Sequence, residues 1–353
     1  MRPHFPPYRA PWWLPGGHAQ TVYAALAAPR PRVAYRRERW DTPDGDFIDL
    51  DWVEVNRGQT TFSPPPSRDA TPEQGNGGLS PIYPLVVLFH GLEGSSRSHY
   101  AVALMAAVRD AGWRGVVVHF RGCSGELNRL PRAYHSGDSA EIDWVLRRLK
   151  RGNSRLFAAG VSLGGNALLK WLGESGVPAG QVVDRAAAVS APVDLTAAGN
   201  ALDRGFNLAY TRHFLASMKR KALDKLKSHP GLYDAARVRA ACTLREFDDL
   251  VTAPLHGFRN TDDYWKRASA KPLLRAIEVP VLMVNARNDP FLPGAALPAP
   301  HEAAPSVLLE QPPSGGHAGF VRGPFPGNLD WLPRRVLEFF GVTRVSSSSL
   351  RRP

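Results

Sequence analysis

Only two cysteines, Cys123 and Cys242, occur in 353 residues. That is too few for a disulfide framework or a zinc knuckle, so reduced thiols and a cytoplasmic setting are expected. No stretch of about 18 consecutive apolar residues occurs, which argues against a spanning helix. The cluster Trp12-Trp13-Leu14 is too short for the core of a signal peptide. There is no glycine-rich phosphate loop, dinucleotide fingerprint or metal-ligand spacing, so neither cofactor nor metal is expected. Acidic side chains are outnumbered, 32 against 44 basic ones, for a net charge of +12. The excess is mostly arginine scattered along the chain. A nucleic-acid groove would gather it into a stripe with interleaved aromatics, so no nucleic-acid partner is expected. The charge predicts a solvated basic surface with at most a weak, salt-sensitive contact to anionic lipid. Nothing in the pattern specifies an oligomeric state.

What the chain does have is the stretch Leu156 to Asn166, LFAAGVSLGGN. An apolar run breaks into Gly160-Val161-Ser162-Leu163-Gly164 and then into a helical pattern. This is the G-x-S-x-G nucleophile elbow, in which a serine at the end of a central strand is thrust clear of the sheet by a strained turn. Small flanking residues are required because strand and helix approach too closely to admit side chains. Leu163 places a backbone N–H at the positive end of the following helix, where an oxyanion can be held.

Around the elbow the pattern is that of an α/β sheet. Residues 1–34 read as an N-terminal extension, with His18 in a turn and without a metal partner. Tyr35 to Trp40 and Phe47 to Val53 flank Pro43-Asp44-Gly45-Asp46 as a hairpin. Residues 56–81 are Gly, Ser, Pro, Thr and Gln with little apolar content, and read as an inserted surface loop. Apolar runs Leu85 to Phe89, Val116 to Phe120, Leu156 to Val161 and Ala186 to Val189 then alternate with helical segments. Strands apolar throughout imply a mostly parallel central sheet with helices on both faces. From 193 to 270 the strand pattern stops and helical segments such as Phe214 to Lys227 take over. The simplest reading is a helical lid over the crevice, with the lysines from Lys219 to Lys227 on its solvated side. Residues 346–353 form a basic tail, leaving 35–345 as the catalytic domain.

A serine needs a base and an orienting acid. The strand Val279 to Val284 leads to Asp289-Pro290, and the strand Val307 to Leu309 to Gly315-Gly316-His317. The order Ser162, Asp289, His317 is the α/β-hydrolase order of a catalytic triad. Asp194, soon after the strand ending at Val189, is the rival acid. Asp248 and Asp249 have the simpler reading of cap or salt-bridge residues. His90 fits a shaping role on the loop after the first parallel strand better than that of a second base. Cys123, with no elbow around it, reads as a small residue lining the crevice. The N–H groups of Leu92 and Leu163 are the expected oxyanion donors.

The combination HGLEG (90–94), HFRGCSG (119–125), YHSG (134–137), GVSLGGN (160–166), REFDD (245–249) and NDPF (288–291) resembles the YheT-like branch of the α/β-hydrolases. Relatives of that branch include carboxylesterases and acylglycerol lipases. The resemblance implies an α/β-hydrolase fold and esterase chemistry, with the family's triad falling on Ser162, Asp289 and His317. The expected substrate is a short- or medium-chain acyl ester or a monoacylglycerol. An acyltransferase would use the same triad and is separable only by its products. A non-catalytic scaffold would normally have lost a triad member.

Overall fold

The valine- and alanine-rich runs form the middle of one eight-stranded sheet, ordered β1-β2-β4-β3-β5-β6-β7-β8 in the computed structural model, which describes residues 5–54 and 83–341. The strands are β1 (Tyr35–Asp41), β2 (Phe47–Val53), β3 (Leu85–Phe89), β4 (Arg114–His119), β5 (Leu156–Val161), β6 (Arg185–Val189), β7 (Val281–Val284) and β8 (Val307–Glu310). The β1–β2 hairpin is antiparallel and β2 joins β4 antiparallel; all remaining pairs are parallel. The expected sheet and hairpin are therefore present. Strand β7 starts at Val281, two residues later than the apolar run suggests, because Pro280 has no N–H to give to a ladder.

Helices cover both faces, as a sheet without a polar side requires. They include α2 (His99–Asp110), α3 (Ser139–Lys150) and α4 (Leu163–Ser175), while α1 (Gly17–Leu26) packs through Ala24 in a small cluster with Ala103 of α2. Helix α4 buries almost its whole length, with Trp171 among the largest enclosed side chains. Each fully enclosed Val or Leu of β3 to β6 contributes about 1.5–3 kcal/mol.

Between β6 and β7 lie α5 (Leu195–Leu202), α6 (Leu208–Ser228), α7 (Ala235–Ala240), α8 (Leu244–Phe247), a π turn at Asp248–Thr252, α9 (Ala253–Leu255) and α10 (Thr261–Ala268). These helices have an apolar cluster of their own, which includes Leu215, Phe247 and Trp265 and reaches Phe291 and Leu292 beside Asp289. The final helix, α11 (Trp331–Phe340), closes the opposite face.

The lysines of α6 correct one expectation. Lys225 is buried, donating to Oδ1 of Asn128 at 2.7 Å and to the Leu130 carbonyl at 2.6 Å, and Lys221 points at Glu93. Their long apolar stems cross the helix contact and the charged heads find acceptors on the loops beneath. Only part of this basic run faces solvent. The expected loop at 56–81 and tail at 346–353 lie outside the described residues.

Candidate active site

The register aligns the carboxyl ends of the parallel strands, pairing Phe89 with Gly160, Val161 with Val189, and Val189 with Val284. The residues just beyond those ends share one crevice, and the chain reverses its direction of strand addition at β3, which is where α/β sheets hold ligands. Ser162 sits there at φ 53° and ψ −122°. Its N–H donates to the Val189 carbonyl at 2.8 Å, and its own carbonyl accepts from Asn166 as α4 begins.

The glycines of the elbow are sterically obligatory. A Cβ at Gly160 would lie 2.4 Å from the Gly164 carbonyl oxygen, and one at Gly164 would lie 2.4 Å from that of Phe89. On the opposing loop, a Cβ at Gly91 would come within 3.0 Å of the Ser162 Cβ. Backbone strain concentrates around this crevice: Glu93, Ser162, Ser190 and Ala318 all have positive φ without being glycine.

Asp289 and His317 are brought together. Nδ1 of His317 is 2.8 Å from Oδ2 of Asp289, whose side chain has no solvent exposure. The other carboxylate oxygen accepts from the Phe291 N–H at 2.8 Å, and the Phe291 ring lies 4.2 Å from the imidazole. The histidine loop is tied to the elbow through Ala318, whose N–H donates to Ser190 Oγ; Ser190 follows the Val189 that receives the Ser162 N–H. Among the described residues, Ser162 Oγ and His317 Nε2 have no hydrogen-bond partner. Asp194, the rival acid, instead caps α5 by accepting from the Ala197 N–H at 3.0 Å.

The loop after β3 is held on every side except one. The Gly91 N–H donates to the Tyr100 hydroxyl at 2.8 Å and the Glu93 N–H to that of Tyr134 at 2.9 Å. Between them the Leu92 N–H has no acceptor among the described residues, and neither has that of Leu163 at the start of α4. His90 has both nitrogens engaged, Nδ1 donating to the Gly91 carbonyl and Nε2 accepting from the Phe120 N–H. Burial draws its pKa down to about 3, so it shapes this loop as a neutral ring. Burial pushes the Cys123 thiol up to about 11, which leaves no thiolate at neutral pH.

Several supporting groups have no role assigned to them from the sequence. The Glu93 carboxylate accepts from the Tyr134 hydroxyl at 2.7 Å, from Lys221 Nζ at 2.8 Å and from the Ser217 hydroxyl. The N-terminal helix enters the site as well. Thr21 Oγ1 accepts from the His317 N–H at 2.8 Å, and Gln20 Oε1 accepts from the Gly315 N–H and the Asn288 amide. His18 stacks near Tyr210 at the exposed end of that helix, its Nδ1 lying 3.1 Å from the hydroxyl. Asp248 is enclosed by Thr252 and Trp265, and Asp249 accepts from the Thr261 N–H.

With an elbow serine, an acid–histidine pair and two free N–H groups at the end of a mostly parallel sheet, the chain belongs to the alpha/beta hydrolase fold family, whose model matches residues 84–324. Its esterase- and lipase-type membership is seen in its relatives. A candidate esterase, YheT, of Escherichia coli (strain K12) is 38% identical over 90% of this chain and 88% of its own. The human phospholipase ABHD3 is 29% identical over 93% of this chain and 76% of its own. The solved structure of Est1E from Butyrivibrio proteoclasticus with ferulic acid shares the fold, with a TM-score of 0.51 at 14% identity over 87% of this chain and 97% of that one.

Proposed function

We propose that the protein is a serine hydrolase that cleaves carboxylic esters through an acyl-enzyme on Ser162. The observation that carries this reading is the hydrogen bond between buried Asp289 and His317, in a loop tied to the strained Ser162 turn. Ser162 Oγ attacks the ester carbonyl while His317 Nε2 takes its proton; the N–H groups of Leu92 and Leu163 hold the oxyanion. Collapse of the tetrahedral intermediate expels the alcohol, which receives the proton from His317. Water, activated by the same histidine, then releases the acid. Asp289 holds the tautomer with hydrogen on Nδ1 and stabilises the imidazolium.

The helices at 193–270 act as a lid whose apolar cluster meets Phe291 next to the imidazole, within a catalytic domain at 35–345. Each acyl methylene buried there contributes about 0.8 kcal/mol, which favours short- to medium-chain acyl esters or monoacylglycerols. The names of YheT and ABHD3 agree with ester hydrolysis.

A fluorophosphonate probe tests the reading. The wild-type protein takes up label and hydrolyses p-nitrophenyl esters in the presence of a chelator, whereas folded Ser162→Ala does neither, its rate falling by several orders of magnitude. Labelling of Ser162→Ala, or a metal requirement, overturns it.

A further inference from the structure

A second surface, outside the crevice, has the composition of a lipid contact. Helix α1 contains no charged residue and turns Ala19, Val22 and Leu26 outward, three positions on one helical face. Leu26 is 79% exposed. The apolar stripe continues into Trp12, 91% exposed, and Phe325, 73% exposed, which line one open hollow with Tyr23. Trp13 holds this hollow together, meeting Tyr23 and Phe325 edge-on at 5.1 Å and 5.4 Å. Large apolar side chains exposed singly are ordinary, but a contiguous set including tryptophan marks a contact surface.

Charge says what kind. The first 37 residues contain no Asp or Glu, and of their arginines Arg36 and Arg37 pair with Glu38 and Asp51 on the hairpin, whereas Arg9, Arg30 and Arg32 are exposed. Arg30 folds back on the Ala25 carbonyl at the end of α1, so its cation stands beside the stripe. Tryptophan and leucine bordered by arginine suit the boundary between headgroups and acyl chains of an anionic bilayer. A second copy of the chain fits less well. The stripe has about six residues, where a stable interface takes roughly 20–30 a side, and the partners would each carry +12.

The position is also apt. At its other end α1 meets the crevice through His18, which packs on Phe206 and Tyr210; the Tyr210 ring lies 4.7 Å from that of Phe291, which covers His317. No helix among the described residues is long and apolar enough to cross a membrane, so the contact is peripheral. We infer that the face formed by Trp12, Val22, Leu26 and Phe325 docks the protein on anionic phospholipid bilayers, with the mouth of the crevice at its edge. Delivery of a lipid ester from that bilayer rests on the hydrolase reading; the docking does not.

Vesicle sedimentation tests this, using phosphatidylcholine alone and phosphatidylcholine mixed equally with phosphatidylglycerol. Wild-type protein and Ser162→Ala are expected to sediment alike with the anionic vesicles, with a blue shift of tryptophan emission, and to be released by high salt. The triple variant Trp12→Ser, Leu26→Glu, Phe325→Ser should partition about tenfold less or weaker still, while its kcat/KM for water-soluble p-nitrophenyl acetate stays within about twofold. Leu26→Glu alone, at an exposed helix position, gives a smaller loss in the same direction and guards against misfolding of the triple variant. Absence of sedimentation with either vesicle, equal partition of wild type and Leu26→Glu, or a wild-type dimer that the variants split without any vesicle binding overturns the proposal. Failure of the hydrolase reading would instead show as unreacted p-nitrophenyl acetate with vesicle binding intact.

Discussion

Nζ of Lys221, on α6, lies 2.8 Å from Oε1 of Glu93, which stands at φ 53° one residue after Leu92. A helix of the 193–270 insertion is thereby joined to the loop that carries a proposed oxyanion donor. Glu93→Gln and Lys221→Met should each lower kcat about tenfold by loosening the Leu92 N–H, a fraction of the effect of deleting a donor outright. The double variant should be little worse than either single one, since both break the same contact. Wild-type kcat in Glu93→Gln, measured on a short-chain p-nitrophenyl ester, would separate α6 from catalysis.

The two aspartates should differ sharply. Asp289→Asn leaves the packing but favours the wrong imidazole tautomer, and a loss of about 10⁴ in kcat is expected with KM little changed. Asp194→Asn keeps a side-chain oxygen for the α5 cap, so activity should be near wild type and the thermal midpoint barely moved. Steady-state kinetics of the pair decide the acid.

Gly91→Ala puts a methyl group within 3.0 Å of the Ser162 Cβ. Relief of that contact has to displace either the oxyanion loop or the elbow, so kcat should drop by one or more orders of magnitude while overpacking costs about 1–3 kcal/mol of stability. Unchanged kcat together with an unchanged unfolding midpoint would mean that the loop stands further from the serine.

Acid should weaken the fold well above the pH at which ordinary carboxylates take up protons. Desolvation draws His90 and His256 down to about 3, and His99 and His135 down to about 4. In the unfolded chain each titrates near 6.5, so between those values the unfolded state binds more protons and stability falls as pH falls below about 6.5. Each neutral histidine adds a slope of up to about 1.4 kcal/mol per pH unit. Asp248 and Glu141, raised by burial to about 6 and about 7, work the other way, their contributions being lost as pH rises through those values, and Asp203, also raised by burial, adds to them. With four histidines against these three carboxylates, of which Asp203 is ionised across most of the range, the urea midpoint should still be lower at pH 5 than at pH 7; equal midpoints would show that these histidines are solvated.

The parallel sheet and the strand-end placement of Ser162, Asp289 and His317 were legible because they rest on local signals. Apolar runs marked β3, β5 and β6, and glycine spacing marked the elbow at Ser162. What escaped was long-range pairing. Tyr100 looks like an ordinary helix residue and Tyr134 enters only as part of the YHSG motif, yet their hydroxyls fix the amides on either side of Leu92. The lysines of α6 read as solvated because charge usually is; nothing near Lys225 foretells that Asn128, 97 residues earlier, would accept a hydrogen bond from it. Asp194 and Asp289 were both at strand ends, and only the fold shows that one of them serves a helix cap.

The hydrogen bond from the His317 N–H to Thr21 spans 296 residues of chain. A ribosome adding about 5–20 residues per second needs roughly 15–60 s to separate the synthesis of these two partners. Throughout that interval α1 has no histidine loop to hold, and the nucleophile half of the sheet can form without a working centre. On the proposed mechanism, reactivity therefore waits until the histidine loop has been made and has reached back to α1.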